Sequence, residues 1–356
     1  MILDAIKVFL PTTLVFIIGI AITPALTRVM YERKLWKKNN RAQEADITNK
    51  DFANVHDGVA ETATPRVGGV IIWLSVLICI SLMWIVSKVF PTELLTKLDF
   101  FSKNQTLVPL AALILGSLIG LADDLLQVKG TIGDNTSSDV LGNRWVKIGM
   151  IVVIGLAVAS WFYFKLGVSG ILIPFVPGIF NLGVFFIPFF ILVMVGVFST
   201  SVIDGLDGLA GGVLAIVFAA YAVIAAGQHQ TDIAALCGVI SGAILAFLWF
   251  NIPPARFYMG ETGMLGLTVV LTVIAFLTNT VLLLPLIALP LTVTTASVII
   301  QITSYKYFGK RRVFKIAPLH HHFRALGWSK EKVVMRYWVV SIIAAIIGVV
   351  VALISK

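Results

Sequence analysis

The stretch FFIPFFILVMVGVF (185–198) is followed closely by IDGLDGLAGG (203–212), and together they indicate how the chain is organised. The first part is an apolar run suited to a membrane, and the second interleaves Asp204 and Asp207 with four glycines. Because an acidic side chain in hydrocarbon costs about 2.5–3.5 kcal/mol, these acids are expected where a span ends. Glycines at this density weaken a helix and suit backbone that approaches another group closely. A polar turn between two spans is the simpler alternative.

The composition is that of a membrane protein. Of 356 residues, 58% are hydrophobic and 13% are charged, against about 25% charged in a soluble domain. We predict an all-α, polytopic integral membrane protein with one transmembrane domain over residues 1–356. The net charge of +9 is typical of basic cytoplasmic loops, and with no recognised nucleic-acid motif we expect no nucleic-acid partner.

The hydropathy pattern predicts about ten transmembrane helices. The segment 166–182, which contains prolines and glycines, is expected to be a re-entrant or surface element. The predicted spans are 8–29, 67–87, 107–122, 146–164, 183–200, 211–227, 232–250, 264–282, 285–304 and 333–354.

The distribution of basic residues predicts the orientation. Of 27 Lys and Arg residues, 21 lie on the side of the loops that follow the odd-numbered spans. By the positive-inside rule these loops face the cytoplasm, so both termini are expected on the extracytoplasmic side of the cytoplasmic membrane.

Four polar clusters follow spans 3, 5, 7 and 9, and the predicted topology puts all of them on the cytoplasmic face. A transporter, the alternative from another class, would more typically bury ionisable groups at mid-depth. The clusters are Asp123–Asp124, Asp204–Asp207, Glu261 and His320–His322.

Carboxylates gathered at a membrane surface repel one another unless a cation joins them. Mg2+ prefers one or two carboxylates together with water and phosphate oxygens. Histidines and basic side chains such as Lys147 are able to hold phosphates. The pattern therefore favours a phosphoryl-type transfer from a soluble donor to a lipid phosphate, in which positioning and charge neutralisation supply most of the rate.

Taken together, the motifs resemble the polyprenyl-phosphate N-acetylhexosamine-1-phosphate transferase superfamily over about residues 64–338. APLHHHF with the following GWSKEKVVMRYW (327–338) is most similar to the bacterial phospho-N-acetylmuramoyl-pentapeptide transferase branch. The motifs that carry the resemblance are TPRVGG (64–69), LADD (121–124), DGLDGLAGG (204–212), NIPPARFYMGETG (251–263) and APLHHHF (317–323).

The resemblance implies a ten-helix fold, a cytoplasmic site and Mg2+ as cofactor. It implies that undecaprenyl phosphate attacks the β-phosphate of UDP-MurNAc-pentapeptide, which releases UMP and forms the first lipid intermediate of peptidoglycan. The implied partners are a UDP-linked amino-sugar donor, undecaprenyl phosphate and the lipid bilayer. The oligomeric state stays open, with a homodimer among the alternatives.

The resemblance also implies roles for individual residues. Asp123 would be a base or an organiser of the lipid phosphate, with Asp124 beside it, and Glu261 would hold Mg2+. His320, His321 and His322 would contact the diphosphate and the acids. Asp204 and Asp207, which we count with the catalytic residues, would help form the nucleotide pocket. The residues that would bind the donor or a phosphate are Gly205, Leu206, Lys147, Ser201, Asn251, Phe257, Gln301 and Arg66.

Three departures from the family pattern leave alternatives open. Glu261 occupies a position where the family usually has Asp, and Ser201 occupies one where the family has an amide side chain. Glu61 occupies the position of a lysine in the family, and Arg66 could replace the positive charge of that lysine. PRVGG resembles the N-acetylglucosamine branch more closely, so a UDP-GlcNAc donor is the alternative inside the class. An inactive membrane scaffold is the further alternative.

Overall fold

The computed structural model describes residues 2–36, 63–90, 104–129 and 144–355; Glu61 lies outside them. We number the α-helices of these ranges in chain order. They are α1 (Ile2–Glu32), α2 (Val70–Val89), α3 (Asn104–Lys129), α4 (Arg144–Ser160), α5 (Phe186–Phe198), α6 (Leu209–Gly227), α7 (Thr231–Asn251), α8 (Gly260–Leu277), α9 (Leu284–Ile287), α10 (Leu289–Tyr307), α11 (Leu319–Ala325) and α12 (Lys330–Ile354).

Nine helical segments of the described chain are long and apolar enough to cross a membrane. A further pair, Val281–Ile287 and Leu289–Tyr307, qualifies together but is bent by 87° at Ala288. Counting that pair as one span gives the ten that the sequence predicts. α6, α7 and α8 are buried almost throughout and lie in the middle of the bundle, as expected for helices that are apolar on every side.

The prediction of an all-α chain needs one correction, in the segment after α4. Two short strands, β1 (Gly170–Leu172) and β2 (Ile179–Asn181), form an antiparallel hairpin in which Ile171 is opposite Phe180. The proline and glycine residues between the strands end the helix and allow the chain to reverse. The expected surface element is therefore a β-hairpin.

Helices α3 and α8 pack with their backbones in close contact, and this contact positions the acids. A Cβ on Gly120 would lie 2.1 Å from the carbonyl oxygen of Glu261, and one on Gly116 would lie 2.9 Å from the Cα of Gly266. Small residues four apart are typical of helix pairs that approach closely in membranes. The result is that the C-terminal end of α3 lies against the first turn of α8.

Candidate active site

A cavity of about 590 Å³ opens between the ends of several helices, beside the contact of α3 with α8. Seven of the residues singled out from the sequence line it, although they come from five separate stretches of chain. They are Arg66, Lys147, Ser201, Asp204, Gly205, Glu261 and His321.

Lys147 joins two of the predicted acids at the edge of this cavity. Its Nζ donates to Asp123 Oδ2 at 2.8 Å and to Glu261 Oε1 at 3.4 Å. Gln127, one helical turn after Asp123, donates a second hydrogen bond to the same Oδ2 at 2.7 Å. Asp123 is completely buried, whereas Glu261 remains 24% exposed. The structure therefore brings a cation and two carboxylates from α3, α4 and α8 to one point.

Asp124 binds the beginning of α8. Its Oδ1 accepts from the N–H of Glu261 at 3.2 Å, and its Oδ2 accepts from the N–H and the hydroxyl of Thr262 at 2.8 and 2.6 Å. These N–H groups have no partner within their own helix, and a carboxylate there is also favoured by the helix dipole. Asp124 thus fixes the backbone that carries Glu261.

The glycine-rich stretch lies directly against the histidines. A Cβ on Gly205 would lie 2.4 Å from His320 Nε2 and 3.2 Å from His321 Nε2. The two rings are buried with their centroids 4.3 Å apart. Asp204 accepts a hydrogen bond at 3.2 Å from the N–H of Gly260, whose φ is +67°. The absence of a side chain at Gly205 is what allows the histidines to reach this wall of the cavity.

Asn251 joins the glycine-rich stretch to the loop that precedes α8. Its Oδ1 accepts from the N–H of Gly208 at 2.9 Å, and its Nδ2 donates to the carbonyl of Phe257 at 2.8 Å. Both side-chain atoms are therefore engaged with backbone, and Asn251 is 5% exposed. The Phe257 ring is fully buried against Phe247. Of these predicted substrate-binding residues, the structure places Asn251 and Phe257 behind the cavity wall.

Asp207 lies on the other side of the same loop and is partly exposed. Its Oδ2 accepts a long hydrogen bond, 3.5 Å, from the N–H of Ala255. Burial raises the pKa of the Asp207 carboxyl above its usual range, although the Ala255 N–H and the charge of Lys330 oppose that rise. Leu206, next to it, is buried in the hydrophobic core.

Gln301 and His322 hold the segment that leads into α11. Gln301 Oε1 accepts from the N–H groups of Val313 and Phe314 at 3.1 and 3.0 Å. His322 Nδ1 accepts from the N–H of Lys315 at 3.1 Å. Burial and the neighbouring charge of Lys315 lower the pKa of His322, which favours the neutral ring that this acceptor needs. Neither residue lines the cavity.

Arg66 belongs to a short backbone pairing that closes the site from the side of α2. The N–H groups of Gly68 and Gly69 donate to the carbonyls of Tyr258 and Met259 at 2.9 and 3.0 Å. This explains why glycines follow Arg66: a Cβ on Gly69 would lie 2.2 Å from the nitrogen of Gly263. Ser201, on the opposite wall, donates its hydroxyl hydrogen to the carbonyl of Phe198.

The carboxylates fit a divalent cation bound together with its substrate. Among the described residues, no three His, Cys, Asp or Glu side chains are grouped to hold a metal without other ligands. Asp123 Oδ1 and Glu261 Oε2 are buried and accept no hydrogen bond from any described residue. Glu261 lines the cavity and shares Lys147 with Asp123, so these two oxygens suit Mg2+, which takes its remaining ligands from water and phosphate.

Sequence reasoning missed Gln127, Thr262 and Trp338. The first lies four residues after Asp123, a spacing that puts both on one helix face. Thr262 directly follows Glu261, but its bond to α3 depends on helix packing. The Trp338 indole N–H donates to the carbonyl of Gly208 at 3.2 Å across 130 residues of sequence, and no local pattern indicates this contact.

The chain is similar to known transferases over most of its length. A profile for glycosyl transferase family 4 matches residues 106–279. The phospho-N-acetylmuramoyl-pentapeptide-transferase of Thermoanaerobacter sp. (strain X514) is 34% identical over 342 residues, which cover 95% of this chain and 96% of the relative. Proteins of the same name from Geobacillus sp. (strain WCH70) and Bacillus subtilis (strain 168) are 36% and 34% identical, each over 81% of this chain and 84% of the relative.

Proposed function

We infer the activity from the family: the chain belongs to the phospho-N-acetylmuramoyl-pentapeptide transferases. It transfers phospho-MurNAc-pentapeptide from a UDP-linked donor to undecaprenyl phosphate. A phosphate oxygen of the lipid attacks the β-phosphorus of the donor, the bond to the α-phosphate oxygen breaks, and UMP leaves. The product is a lipid-linked pyrophosphate, the first lipid intermediate of peptidoglycan synthesis.

The observation that carries the assignment of the site is the position of Lys147 between Asp123 and Glu261. A phosphate monoester has its second pKa near 6, so the lipid phosphate is largely ionised at neutral pH and needs no strong base. Asp123 would therefore act by orienting the ammonium group of Lys147 toward a phosphate. Because Asp123 and Glu261 together outweigh this one positive charge, Mg2+ would supply the further charge that attracts the phosphates. This positioning, together with charge neutralisation, lowers the barrier for phosphoryl transfer.

Mg2+ would be held by Glu261, which lines the cavity, and by Asp123, which lies behind it and is joined to it through Lys147. When bound, the ion neutralises charge on the diphosphate. Asp124 acts indirectly, because it fixes the first turn of α8 and so the backbone of Glu261.

The glycine-rich stretch and the histidines form the opposite wall, where the donor binds. Asp204 and Asp207 hold the loop before α8 through its N–H groups, and the exposed backbone at Gly205 lets the diphosphate approach His321. Asn251, Phe257 and Gln301 support the walls of this pocket from behind.

The protein is a multi-pass membrane protein. We propose that it lies in the cytoplasmic membrane with the cavity facing the cytoplasm and both termini outside. The distribution of Lys and Arg supports this orientation. A cytoplasmic cavity also agrees with a nucleotide-linked donor, which is soluble in that compartment.

The test is Mg2+-dependent UMP release by the purified protein with undecaprenyl phosphate and UDP-MurNAc-pentapeptide. Asp123→Asn and His321→Ala are expected to abolish release while melting as cooperatively as the parent. UDP-GlcNAc serves as the control donor and is expected to be inert. Equal turnover of UDP-GlcNAc would overturn the donor assignment, and full activity of both variants would overturn the site.

A further inference from the structure

The segment 304–315, SYKYFGKRRVFK, combines positive charge with exposed aromatic side chains; we call it the basic turn. Its five Lys and Arg side chains are all exposed. The sequence contains no Asp or Glu between Glu261 and Glu331, so the basic turn has no acid of its own or in its flanking sequence. These cations are Lys306, Lys310, Arg311, Arg312 and Lys315.

Large apolar side chains are exposed in the same segment. Tyr307 is 69% exposed, Phe308 66% and Val313 52%. The ammonium of Lys306 lies 5.2 Å from the centroid of the Tyr307 ring. Aromatic rings interleaved with Lys and Arg are typical of segments that lie at the headgroup level of a bilayer.

From the exposure of the side chains of α10 we expect the basic turn to lie at a membrane surface. After the 87° bend, residues such as Leu291, Thr294 and Ser297 are buried in the bundle, whereas Ile299 and Ile302 are exposed. The second half of α10 thus turns apolar side chains outward, which suits contact with lipid. The basic turn begins in the last turn of this half-helix, directly after the exposed apolar side chains.

The basic turn is also connected to the histidines of the site. Gln301 binds the backbone of Val313 and Phe314, and Ser304 donates its hydroxyl hydrogen to the carbonyl of Arg311 at 3.0 Å. The next residue along, Lys315, donates its N–H to His322. A restraint on the basic turn therefore also acts on α11, through His322.

We propose that the basic turn binds anionic phospholipid headgroups in the leaflet next to the active site, and that this binding restrains α11 and raises the turnover. Clusters of four to eight Lys and Arg beside a transmembrane helix attract anionic lipids, whereas zwitterionic lipids offer no net charge. The proposed lipid binding is inferred from the charge and exposure of the basic turn alone. The proposed effect on turnover also rests on the proposed function.

The first experiment measures binding without activity. Phe308→Cys is labelled with bimane in the full-length protein, because Cys79 and Cys237 are buried. The protein is reconstituted in phosphatidylcholine containing either brominated phosphatidylglycerol or brominated phosphatidylcholine. We expect several-fold stronger quenching by the brominated phosphatidylglycerol, and high salt should weaken that preference.

A variant with three charges of the basic turn removed tests whether these charges cause the preference. It carries Lys310→Gln, Arg311→Gln and Arg312→Gln together. The matched control, Arg28→Gln, Arg33→Gln and Lys34→Gln, removes three exposed charges from the end of α1. The preference for brominated phosphatidylglycerol should disappear in the variant and persist in the control. Equal quenching by the two lipids in the parent would overturn the proposal.

The second experiment measures UMP release in the same liposomes. Phosphatidylglycerol should raise the turnover of the parent and of the control several-fold. The turnover of the variant should be the same with phosphatidylglycerol as in phosphatidylcholine alone. A variant whose KM for the donor rises equally in both lipids would show that the basic turn contacts the donor, and would overturn the proposal. If no protein released UMP, the proposed function would fail while the quenching result would still stand.

Discussion

Thr262 donates two hydrogen bonds to one carboxylate oxygen of Asp124, from its N–H at 2.8 Å and from its hydroxyl at 2.6 Å. Both residues are completely buried. The first turn of α8 is thus capped by a side chain of α3, and the same turn carries Glu261. Loss of this cap should affect both the stability of the protein and the position of the acid.

Thr262→Val removes the hydroxyl but keeps the shape of the side chain. Because a hydrogen bond contributes about 0.5–3 kcal/mol, depending on the charge of the acceptor, we expect a loss of unfolding free energy in that range. Thr262→Ser, which keeps the hydroxyl, should lose less. Thermal unfolding in detergent measures the difference, and a Val variant as stable as the Ser variant would show that the bond contributes little.

Gly205→Ala should impair turnover without a conformational penalty, because Gly205 has no positive φ. The added Cβ would lie 2.4 Å from His320 Nε2 and must push the ring away. A misplacement of about 1 Å can cost about a hundredfold in rate, so UMP release should fall by that order. Gly196→Ala is the control, since a Cβ there meets no atom within 4 Å. Equal activity of the two variants would remove Gly205 from the site.

Glu261 is tested by two substitutions with opposite expectations. Glu261→Asp keeps the charge and should preserve or raise turnover, whereas Glu261→Gln should lose it, because a neutral amide is a poor ligand for Mg2+. The readouts are UMP release and the Mg2+ concentration that gives half the maximal rate. A Gln variant with the Mg2+ dependence of the parent would exclude Glu261 as a ligand.

Asp207→Asn should make the protein more stable at neutral pH while it loses activity. Burial raises the pKa of Asp207 in the folded state, so its contribution to stability is complete below the unfolded pKa of about 3.9 and is lost as the pH rises through the folded pKa. The Asn variant cannot ionise, so its stability does not fall in this way as the pH rises. The gain in melting temperature should therefore grow from acid to neutral pH, and a gain independent of pH would contradict this origin.

Several features of the site follow from the sequence because they depend on local composition. The order of apolar runs puts Asp123, Asp204, Glu261 and His321 after odd-numbered spans. The bias of Lys and Arg then predicts that the loops after these spans face the cytoplasm. Because these residues lie on one side of the predicted membrane, the sequence predicts that they share a site. It does not predict the distances between them. The β-hairpin after α4 escaped prediction because strands of three residues give too short a pattern to separate from a loop.

The sequence by itself determined a helical membrane protein and its approximate number of spans, and it indicated the residue types of the candidate site, because hydropathy and charge are properties of single segments. The tertiary structure decided what each polar group does. Asp123 and Asp124 are adjacent in sequence, yet one faces Lys147 and the other caps α8. The reason is that successive residues on a helix point about 100° apart, and the close contact of α3 with α8 at Gly120 decides which neighbour each one meets.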